Sequence, residues 1–378
     1  MGSGIAQIAA QTGHSVVLVD QQEEALKRSA QQFQQIAARQ IEKERWSKDE
    51  ASRIQNRILR TVDWNELKGC DLVIEAIVED LAIKREAFQR AESIVSDTAI
   101  IASNTSSLSV TALASSLQLP QRFIGLHFFN PAPLMALVEV IPSLQTEHSV
   151  IDDAYSLMQH WGKVPVIAKD TPGFIVNRVA RPFYGEALRI FEEGLAEPSA
   201  IDHAMKELGF RMGPFELMDL IGNDVNFAVT KTVFESFYFD PRYKPSLIQK
   251  QYADAGWLGI KTGRGYYQYD ESGKRSAVQN QPVDASQVSF IQERILAMLI
   301  NEAADALYWQ IASAADLESA MTKGVNYPKG LLQWANEWGV DHVYSVIEKL
   351  REQYREDRYR PSPLLKKLAI EKGAFVVE

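Results

Sequence analysis

Short apolar runs rich in β-branched residues recur through the first 170 residues, and longer stretches of mixed polar and apolar residues separate them. Such runs are typical of parallel strands that helices cover on both faces. Strand and helix in alternation therefore predict a doubly wound parallel sheet. The predicted strands are SVVLVD (15–20), DLVIEA (71–76), AIIASN (99–104), RFIGLHFF (122–129) and the strand that opens PVIAKDTPG (165–173), with helical segments such as 21–60 and 80–95 between them.

The pattern changes near residue 168, where helical periodicity replaces the short apolar runs. Helices are predicted over 174–193, 199–207 and 214–237, and this segment ends near GYYQYD (265–270). The polar stretch 271–286 has the composition of a linker. Helical periodicity then resumes and continues to the end of the sequence.

The two helical segments resemble each other. FIVNRVARPFYGEAL (174–188) aligns with FIQERILAMLINEAA (290–304) at an offset of 116 residues, and Phe, Ile, Arg, Glu and Ala recur in register. This order favours a duplication in which each copy covers an apolar face of the other. Asn177 aligns with Glu293, so the second copy has lost a neutral amide and is expected to act as a packing partner.

A chain of 378 residues is too long for one ordinary domain. We expect an α/β fold followed by an all-α part. The predicted segments are a Rossmann-type domain over 1–167, a first helical domain over 168–270, a linker over 271–286 and a second helical domain over 287–378.

Composition narrows the classes of function. The net charge of −9 disfavours a nucleic-acid binder, and the single cysteine, Cys70, allows no internal disulfide and no cysteine metal cluster. No apolar run reaches the length of a membrane span, and the N-terminus has no signal-peptide pattern. We therefore expect a cytoplasmic protein without a nucleic-acid or membrane partner and without a metal.

The opening stretch MGSGIAQIAAQTGHSVVLVD has the form of the second half of a nucleotide-binding unit. Asp20 closes the first predicted strand, where a carboxylate accepts hydrogen bonds from a ribose 2′-hydroxyl and repels a 2′-phosphate. NAD is therefore favoured over NADP. Gly2 occupies the place of the third glycine of the fingerprint, but the strand and the glycine-rich turn that normally precede it are not in the sequence.

Segment 21–60 is locally basic, with nine lysines and arginines against six acids. Two interpretations stay open. The charges form a solvated helix face, or they contact the phosphates of a polyanionic substrate such as coenzyme A.

Candidate chemistry lies at the carboxyl ends of the predicted strands, which carry Asp20, Glu75, Asn104 and His127. Glu139 lies inside the apolar run LVEV, where an unpaired carboxylate is costly. Pairing with His127 would remove that cost. It would also stabilise the imidazolium that forms when the histidine takes a proton from an alcohol, so the pair is suited to general-base catalysis. Ser106 and Asn177 could hold the substrate oxygen.

Five motifs follow one another along the chain: SNTSSLSVTALA, GLHFFNPAPLMALVEVI, KDTPGFIVNR, GPFELMDLIG and GIKTGRGYYQY. Together they resemble the L-3-hydroxyacyl-CoA dehydrogenase family, and the resemblance runs from residue 1 to about 270 with the duplicated helical part following. The longer layout is similar to the bacterial branch that acts in phenylacetate degradation, the 3-hydroxyadipyl-CoA and 3-hydroxybutyryl-CoA type.

The resemblance implies a role for each matching position. His127 matches the general base, Glu139 its carboxylate partner, and Ser106 and Asn177 the groups that bind the 3-oxygen. Lys43 matches a lysine that contacts coenzyme A, although the serine of that site is not matched. The implied NAD contacts are Gly2, Asp20, Glu79, Lys84, Ser106, Asn130 and Lys261.

The resemblance also gives a meaning to the first residues. The family fingerprint often has a methionine inside its glycine turn, and Met1 falls on that position. We expect that the first strand and two glycines are missing because of an incorrectly assigned start. As given, the chain is expected to bind NAD weakly and to be poorly stable.

The main hypothesis is NAD-dependent oxidation of an L-3-hydroxyacyl-CoA in fatty-acid or phenylacetate degradation. A related dehydrogenase that acts on a free hydroxy acid and a non-catalytic remnant without a nucleotide site are the alternatives. The acyl chain stays open, and either a monomer or a homodimer is compatible with the internal copy.

Overall fold

A computed structural model describes residues 1–276 and 284–377 of the chain. These form two compact units, Met1–Asp170 and Thr171–Glu378. Part of the predicted linker, 277–283, lies outside the described residues. Among the helices of the described part, none is both long enough and apolar enough to cross a membrane.

The first unit contains seven strands in two sheets, and each predicted apolar run forms one of them. β1 and β2 pair in parallel, and the other five strands form a sheet in the order β3-β4-β5-β6-β7. That a first strand is missing stays a prediction. The strands are β1 (Val16–Val19), β2 (Ile58–Thr61), β3 (Leu72–Glu75), β4 (Ile100–Ser103), β5 (Phe123–Phe128), β6 (Leu137–Pro142) and β7 (Val164–Ile167).

β6 runs antiparallel to β5, although the remaining pairs are parallel. Every residue of β5 is buried, as are the first five of β6, because the two strands occupy the middle of the five-stranded sheet. Antiparallel neighbours bring side chains of one face directly opposite each other. This pairing therefore sets which side chains on the two strands meet.

Six helices flank these strands. The segment 21–60, predicted as helical, contains two helices and then β2. Its last residues form a strand instead of a helix because they pair with β1. The helices are α1 (Gly2–Gln11), α2 (Glu23–Glu42), α3 (Lys48–Asn56), α4 (Leu81–Glu92), α5 (Val110–Ala114) and α6 (His148–His160).

In the core of the first unit, helix α1 packs against residues of both sheets. Ile5 and Ile8 of this helix pack in one cluster with Val138 and Val140 of β6, and Val16 of β1 lies against the same cluster. Burial of these aliphatic side chains holds the helix against the sheets. The N-terminus of α1 is thereby kept close to the ends of the strands.

The second unit is helical throughout its described length, apart from short turns and bridges. A 24-residue helix, α13, packs against α8, α9, α15, α16 and α17. The helices are α7 (Val176–Val179), α8 (Arg181–Glu192), α9 (Pro198–Glu207), α10 (Pro214–Ile221), α11 (Asn223–Ser236), α12 (Leu247–Asp254), α13 (Ala285–Tyr308), α14 (Ala314–Gly324), α15 (Leu331–Trp338), α16 (Val340–Tyr354) and α17 (Pro363–Glu371).

Two buried ion pairs relate the two helical segments. Arg178 Nε donates to Glu302 at 2.6 Å, and Arg294 Nε donates to Glu186 at 2.9 Å. Arg178 and Arg294 are separated by the repeat offset of 116 residues, and so are Glu186 and Glu302. The arginine of each segment thus pairs with the glutamate of the other, in a reciprocal arrangement.

Candidate active site

His127 and Glu139 lie opposite each other on neighbouring strands. His127 is on β5 and Glu139 on β6, and the strand register aligns the two residues. Nδ1 of the imidazole lies 2.6 Å from Oε2 of the carboxylate. Glu139 is fully buried and His127 nearly so. A carboxylate at this distance in a buried site stabilises an imidazolium and fixes the orientation of the ring.

Asn104 supports the end of the strand that carries the histidine. It follows β4, and its Oδ1 accepts a hydrogen bond from the backbone N–H of Phe128 at 2.8 Å. Its own backbone N–H donates to the carbonyl of Glu75 on β3. Asn104 therefore connects the ends of three neighbouring strands.

The serine-rich loop after β4 is held by Glu79. One oxygen of its carboxylate, Oε1, accepts five hydrogen bonds from three consecutive residues of the loop. The donors are Thr105 Oγ1 at 2.7 Å, Ser106 N at 2.8 Å, Ser106 Oγ at 3.3 Å, Ser107 N at 3.0 Å and Ser107 Oγ at 3.0 Å.

Lys84 connects Glu79 to the sheet. Its buried ammonium lies 2.7 Å from Glu75 and 3.1 Å from Glu79. Burial alone would raise the pKa of Glu79, but the hydrogen bond from Thr105 and the charge of Lys84 outweigh it and lower the pKa to about 2. The carboxylate is thus ionised beneath Ser106, and Lys84 supports it from the other side.

Asp170 binds the start of α5, the helix that follows the serine loop. Its carboxylate accepts hydrogen bonds from Ser109 Oγ at 2.8 Å, Val110 N at 2.9 Å and Thr111 N at 2.7 Å. These backbone donors belong to the first turn of α5, where N–H groups have no partner within the helix. Asp170 therefore caps α5 from the end of the strand-containing unit.

Asn130 is exposed and follows β5. The turn after it is tied by Lys163, whose ammonium donates to the carbonyls of Ala132 at 2.6 Å and Met135 at 2.7 Å. Burial lowers the pKa of Lys163. The loop that carries Asn130 is therefore anchored by a half-buried charge rather than by regular pairing.

The N-terminus of α1 and the end of β1 have the features of a nucleotide site. Asp20 is exposed directly after β1, and its Oδ1 accepts a hydrogen bond from Gln22 N. A Cβ atom at Gly2 would lie 3.8 Å from Leu18 and Ala76, an ordinary contact distance. At Gly4 it would lie 3.1 Å from Cδ of Pro133, which is tighter than an ordinary contact, so Pro133 would have to shift slightly to admit a side chain there.

These features fit a dinucleotide. The N–H groups at the start of α1 can bind a pyrophosphate, and Asp20 can accept from a ribose hydroxyl.

Asn177 is half-buried on α7 in the second unit. The preceding turn contains Gly173, which has a φ of +74°. A Cβ atom there would lie 3.0 Å from the backbone nitrogen of Arg178. Glycine is required here because both the conformation and the close approach disfavour a side chain.

Lys261 and Lys43 complete the predicted set. Lys261 Nζ lies 2.6 Å and 2.7 Å from the two carboxylate oxygens of Asp224. Lys43 is exposed at the C-terminal end of α2. Both ammonium groups therefore lie at the surface of their own unit.

Three supporting residues, Asn104, Asp170 and Lys163, have roles that the sequence does not predict. The sequence places Asn104 at a strand end, but its bond to the backbone beside His127 depends on strand order. Asp170 and Lys163 bind backbone groups about 60 and 30 residues away. No local pattern in the sequence signals such long-range contacts to main-chain atoms.

Comparison with known proteins gives matches over most of the chain. The model of the 3-hydroxyacyl-CoA dehydrogenase NAD binding domain matches residues 1–171. The model of the 3-hydroxyacyl-CoA dehydrogenase C-terminal domain matches residues 173–269 and 290–374.

Individual relatives agree with these matches. The chain is 35% identical to 3-hydroxyadipyl-CoA dehydrogenase of Escherichia coli K12, over 99% of this chain and 96% of the relative. It is 42% identical to a probable 3-hydroxybutyryl-CoA dehydrogenase of Bacillus subtilis, over 72% of this chain and 94% of the relative. A crystal structure of 3-hydroxybutyryl-CoA dehydrogenase from Escherichia coli K12 superposes with a TM-score of 0.92 at 35% identity, covering 98% of this chain and 96% of that one.

Proposed function

Because the chain belongs to the 3-hydroxyacyl-CoA dehydrogenase family of NAD-dependent enzymes, we propose that it oxidises the 3-hydroxyl group of an L-3-hydroxyacyl-CoA through His127 and Glu139. The observation that carries this proposal is the 2.6 Å contact between the imidazole and a fully buried carboxylate. The histidine is the general base, and the product is the 3-ketoacyl-CoA.

The proton of the substrate hydroxyl goes to His127. Since Nδ1 faces Glu139, Nε2 is the nitrogen that takes the proton. The ring then carries a positive charge, and the Glu139 carboxylate stabilises it without changing its own protonation state. In the reverse direction the imidazolium returns the proton to the oxygen of a 3-ketone.

Ser106 and Asn177 orient the reacting oxygen in this proposal. The hydroxyl of one and the amide of the other hold the oxygen while its negative charge develops. Glu79 fixes the backbone on both sides of Ser106, and Lys84 keeps that carboxylate in place. These two residues, which the family resemblance implied as NAD contacts, therefore also support the serine loop.

The cofactor is NAD, and when bound it accepts the hydride that leaves C3 of the substrate. Asp20 would receive the ribose hydroxyl, and its negative charge disfavours the additional phosphate of NADP. The start of α1 would receive the pyrophosphate. Lys43 would contact a phosphate of the coenzyme A moiety.

The experiment that tests this function is NADH formation from L-3-hydroxybutyryl-CoA and NAD, compared with free 3-hydroxybutyrate. We expect kcat/KM for the thioester to be at least about 100-fold higher, because the coenzyme part contributes binding energy to the reaction. A preference for the free acid would contradict the thioester assignment. Failure to bind NADH, measured by fluorescence, would identify a non-catalytic remnant instead.

The relatives' names include two acyl groups, adipyl and butyryl. They therefore leave open which acyl chain this enzyme prefers. A role in fatty-acid or phenylacetate degradation is part of the proposal, because either route contains a 3-hydroxyacyl-CoA oxidation.

A further inference from the structure

Three charged side chains, Glu75, Lys84 and Glu79, form a charge cluster at the carboxyl ends of β3 and β4. Glu75 ends β3, and its carboxylate accepts from Lys84 Nζ at 2.7 Å and from Ser103 Oγ of β4 at 2.7 Å. Glu79 contacts the same ammonium at 3.1 Å. The charge cluster contains two carboxylates and one ammonium, so one negative charge is in excess.

The excess charge lies at the surface of the first unit. Lys84 and Glu75 are buried, whereas the side chain of Glu79 is 34% exposed. The pKa of Glu79 is lowered to about 2, so this carboxylate is ionised at neutral pH. Ile77 and Val78, the two residues before it, are exposed apolar residues. An exposed carboxylate beside apolar side chains suits a flat ring that carries a positive charge.

The charge cluster lies between the start of α1 and His127 along the edge of the sheet. A Cβ atom at Gly2 would lie 3.8 Å from Ala76, the residue after Glu75. His127 is on β5, which follows β3 and β4 in the strand order. A dinucleotide with its pyrophosphate at the start of α1 and its reacting ring beside His127 would therefore cross the ends of β3 and β4.

The charge of the reacting ring distinguishes the two forms of the cofactor. The nicotinamide of NAD is positively charged, and this charge is absent from NADH because the ring has taken a hydride. A fixed negative charge beside the ring therefore attracts the oxidised form and has no counterpart in the reduced form. Glu139 is not available for this role, because it faces His127.

We propose that the charge cluster favours binding of the oxidised cofactor over the reduced one, through the uncompensated negative charge at Glu79. This inference rests on the proposed function, because it places the nicotinamide beside the substrate oxygen at Ser106 and His127. Glu79 accepts from Ser106 N at 2.8 Å, so its carboxylate lies next to that position. Since the attraction is lost when the ring becomes neutral, the charge cluster also favours release of NADH after oxidation.

The test compares Kd for NAD with Kd for NADH in the wild type and in Glu79→Gln. NADH binding is measured by fluorescence at pH 7, and NAD binding by displacement of NADH. We expect the ratio of Kd for NAD to Kd for NADH to rise by about 3- to 30-fold in the variant, the range between a screened and a half-buried charge pair. A disturbed serine loop alone would raise both Kd values by one factor, and that unchanged ratio would overturn the proposal.

Charges introduced at Val78, an exposed residue next to Glu79, test the proposal without removing a hydrogen bond of the serine loop. Val78→Lys should raise the same ratio and Val78→Glu should lower it, each by about 2- to 5-fold. The phosphates are identical in both forms, so their response to the new charge cancels in the ratio. Val78→Gln, which has similar size and no charge, is the matched control and should keep the wild-type ratio.

Equal ratios in Val78→Lys and Val78→Glu would overturn the proposal even if Glu79→Gln did not fold. A wild type that binds neither NAD nor NADH would overturn the proposed function itself, and this inference with it. Binding of both forms with a ratio that ignores these charges would overturn this inference alone.

Discussion

At the scale of single residues, one carboxylate oxygen organises the serine loop. Five donors of Thr105, Ser106 and Ser107 converge on Oε1 of Glu79, while Lys84 contacts the other oxygen. Because acceptance of these bonds favours the ionised form, the order of the loop is coupled to the protonation of Glu79. We therefore expect the stability that this loop gains from Glu79 to depend on pH.

Glu79→Gln should therefore destabilise the protein in a pH-dependent way. The pKa of Glu79 is lowered from 4.5 to about 2 in the fold, so its contribution to stability is fully present above pH 4.5. It is lost as the pH falls from 4.5 toward 2. Urea unfolding of wild type and variant at pH 7 and pH 3.5 should show a larger difference at pH 7.

Glu24→Gln is the control, because Glu24 is exposed on α2. Equal destabilisation by Glu79→Gln at both pH values would contradict the coupling.

The sequence predicts which residues form the candidate site better than it predicts the contacts between them. The sequence predicts that His127 pairs with Glu139, because a carboxylate inside an apolar strand needs a partner, and the structure places the two groups in contact. The family resemblance implies that Lys84 contacts NAD, and the structure places its ammonium between two glutamates. That contact depends on how β3 and α4 pack, which no local pattern encodes. The catalytic and cofactor roles stay predictions.

At the scale of elements, the short helix α5 depends on a residue distant in sequence. It has five residues, too few for a stable isolated helix, and Asp170 accepts hydrogen bonds from its first turn. The helix directly follows the serine loop. Its anchoring therefore helps to fix the chain on the far side of Ser106.

Asp170→Ala should lower the free energy of unfolding by about 1–2 kcal/mol, the range for loss of a helix cap. Urea denaturation of the purified protein measures this difference. Asp153→Ala, which removes an exposed acid from α6, is the matched control. A change in Asp170→Ala no larger than that of the control would show that the cap is dispensable.

The strand-and-helix alternation predicted the fold class correctly, and its error at 21–60 has a physical cause. β2 is only four residues long, and its residues Ile58 to Thr61 continue the polar and apolar pattern of the preceding helix. Its strand conformation comes from pairing with β1. Tertiary pairing of this kind overrides a local helical signal.

At the scale of the whole molecule, we propose that the two helical segments arose by duplication and that each now supplies ion-pair partners to the other. Arg178 bonds to Glu302, and Arg294 bonds to Glu186, at positions related by the repeat offset. Tyr243 and Tyr359 donate to the same two glutamates and are also 116 residues apart. The repeat was visible in the sequence, but the reciprocal contacts require the packed structure.

Glu302→Gln should lower the free energy of unfolding by about 3 kcal/mol, because loss of the carboxylate leaves buried arginine charges without compensation. Glu186→Gln should have a similar effect if the two sites are equivalent. Thermal and urea unfolding measure both. Glu352→Gln, at an exposed position of α16, serves as the control. A neutral Glu302→Gln would contradict the view that these pairs hold the segments together.

The central claim is that His127 is the general base of an NAD-dependent oxidation, and its most direct test is kcat of His127→Gln. NADH formation from L-3-hydroxybutyryl-CoA is measured at saturating NAD, with NADH fluorescence to verify cofactor binding and His148→Gln, an exposed histidine, as control. We expect kcat to fall by more than about 100-fold while NADH binding is retained. A kcat close to the wild-type value would contradict the claim.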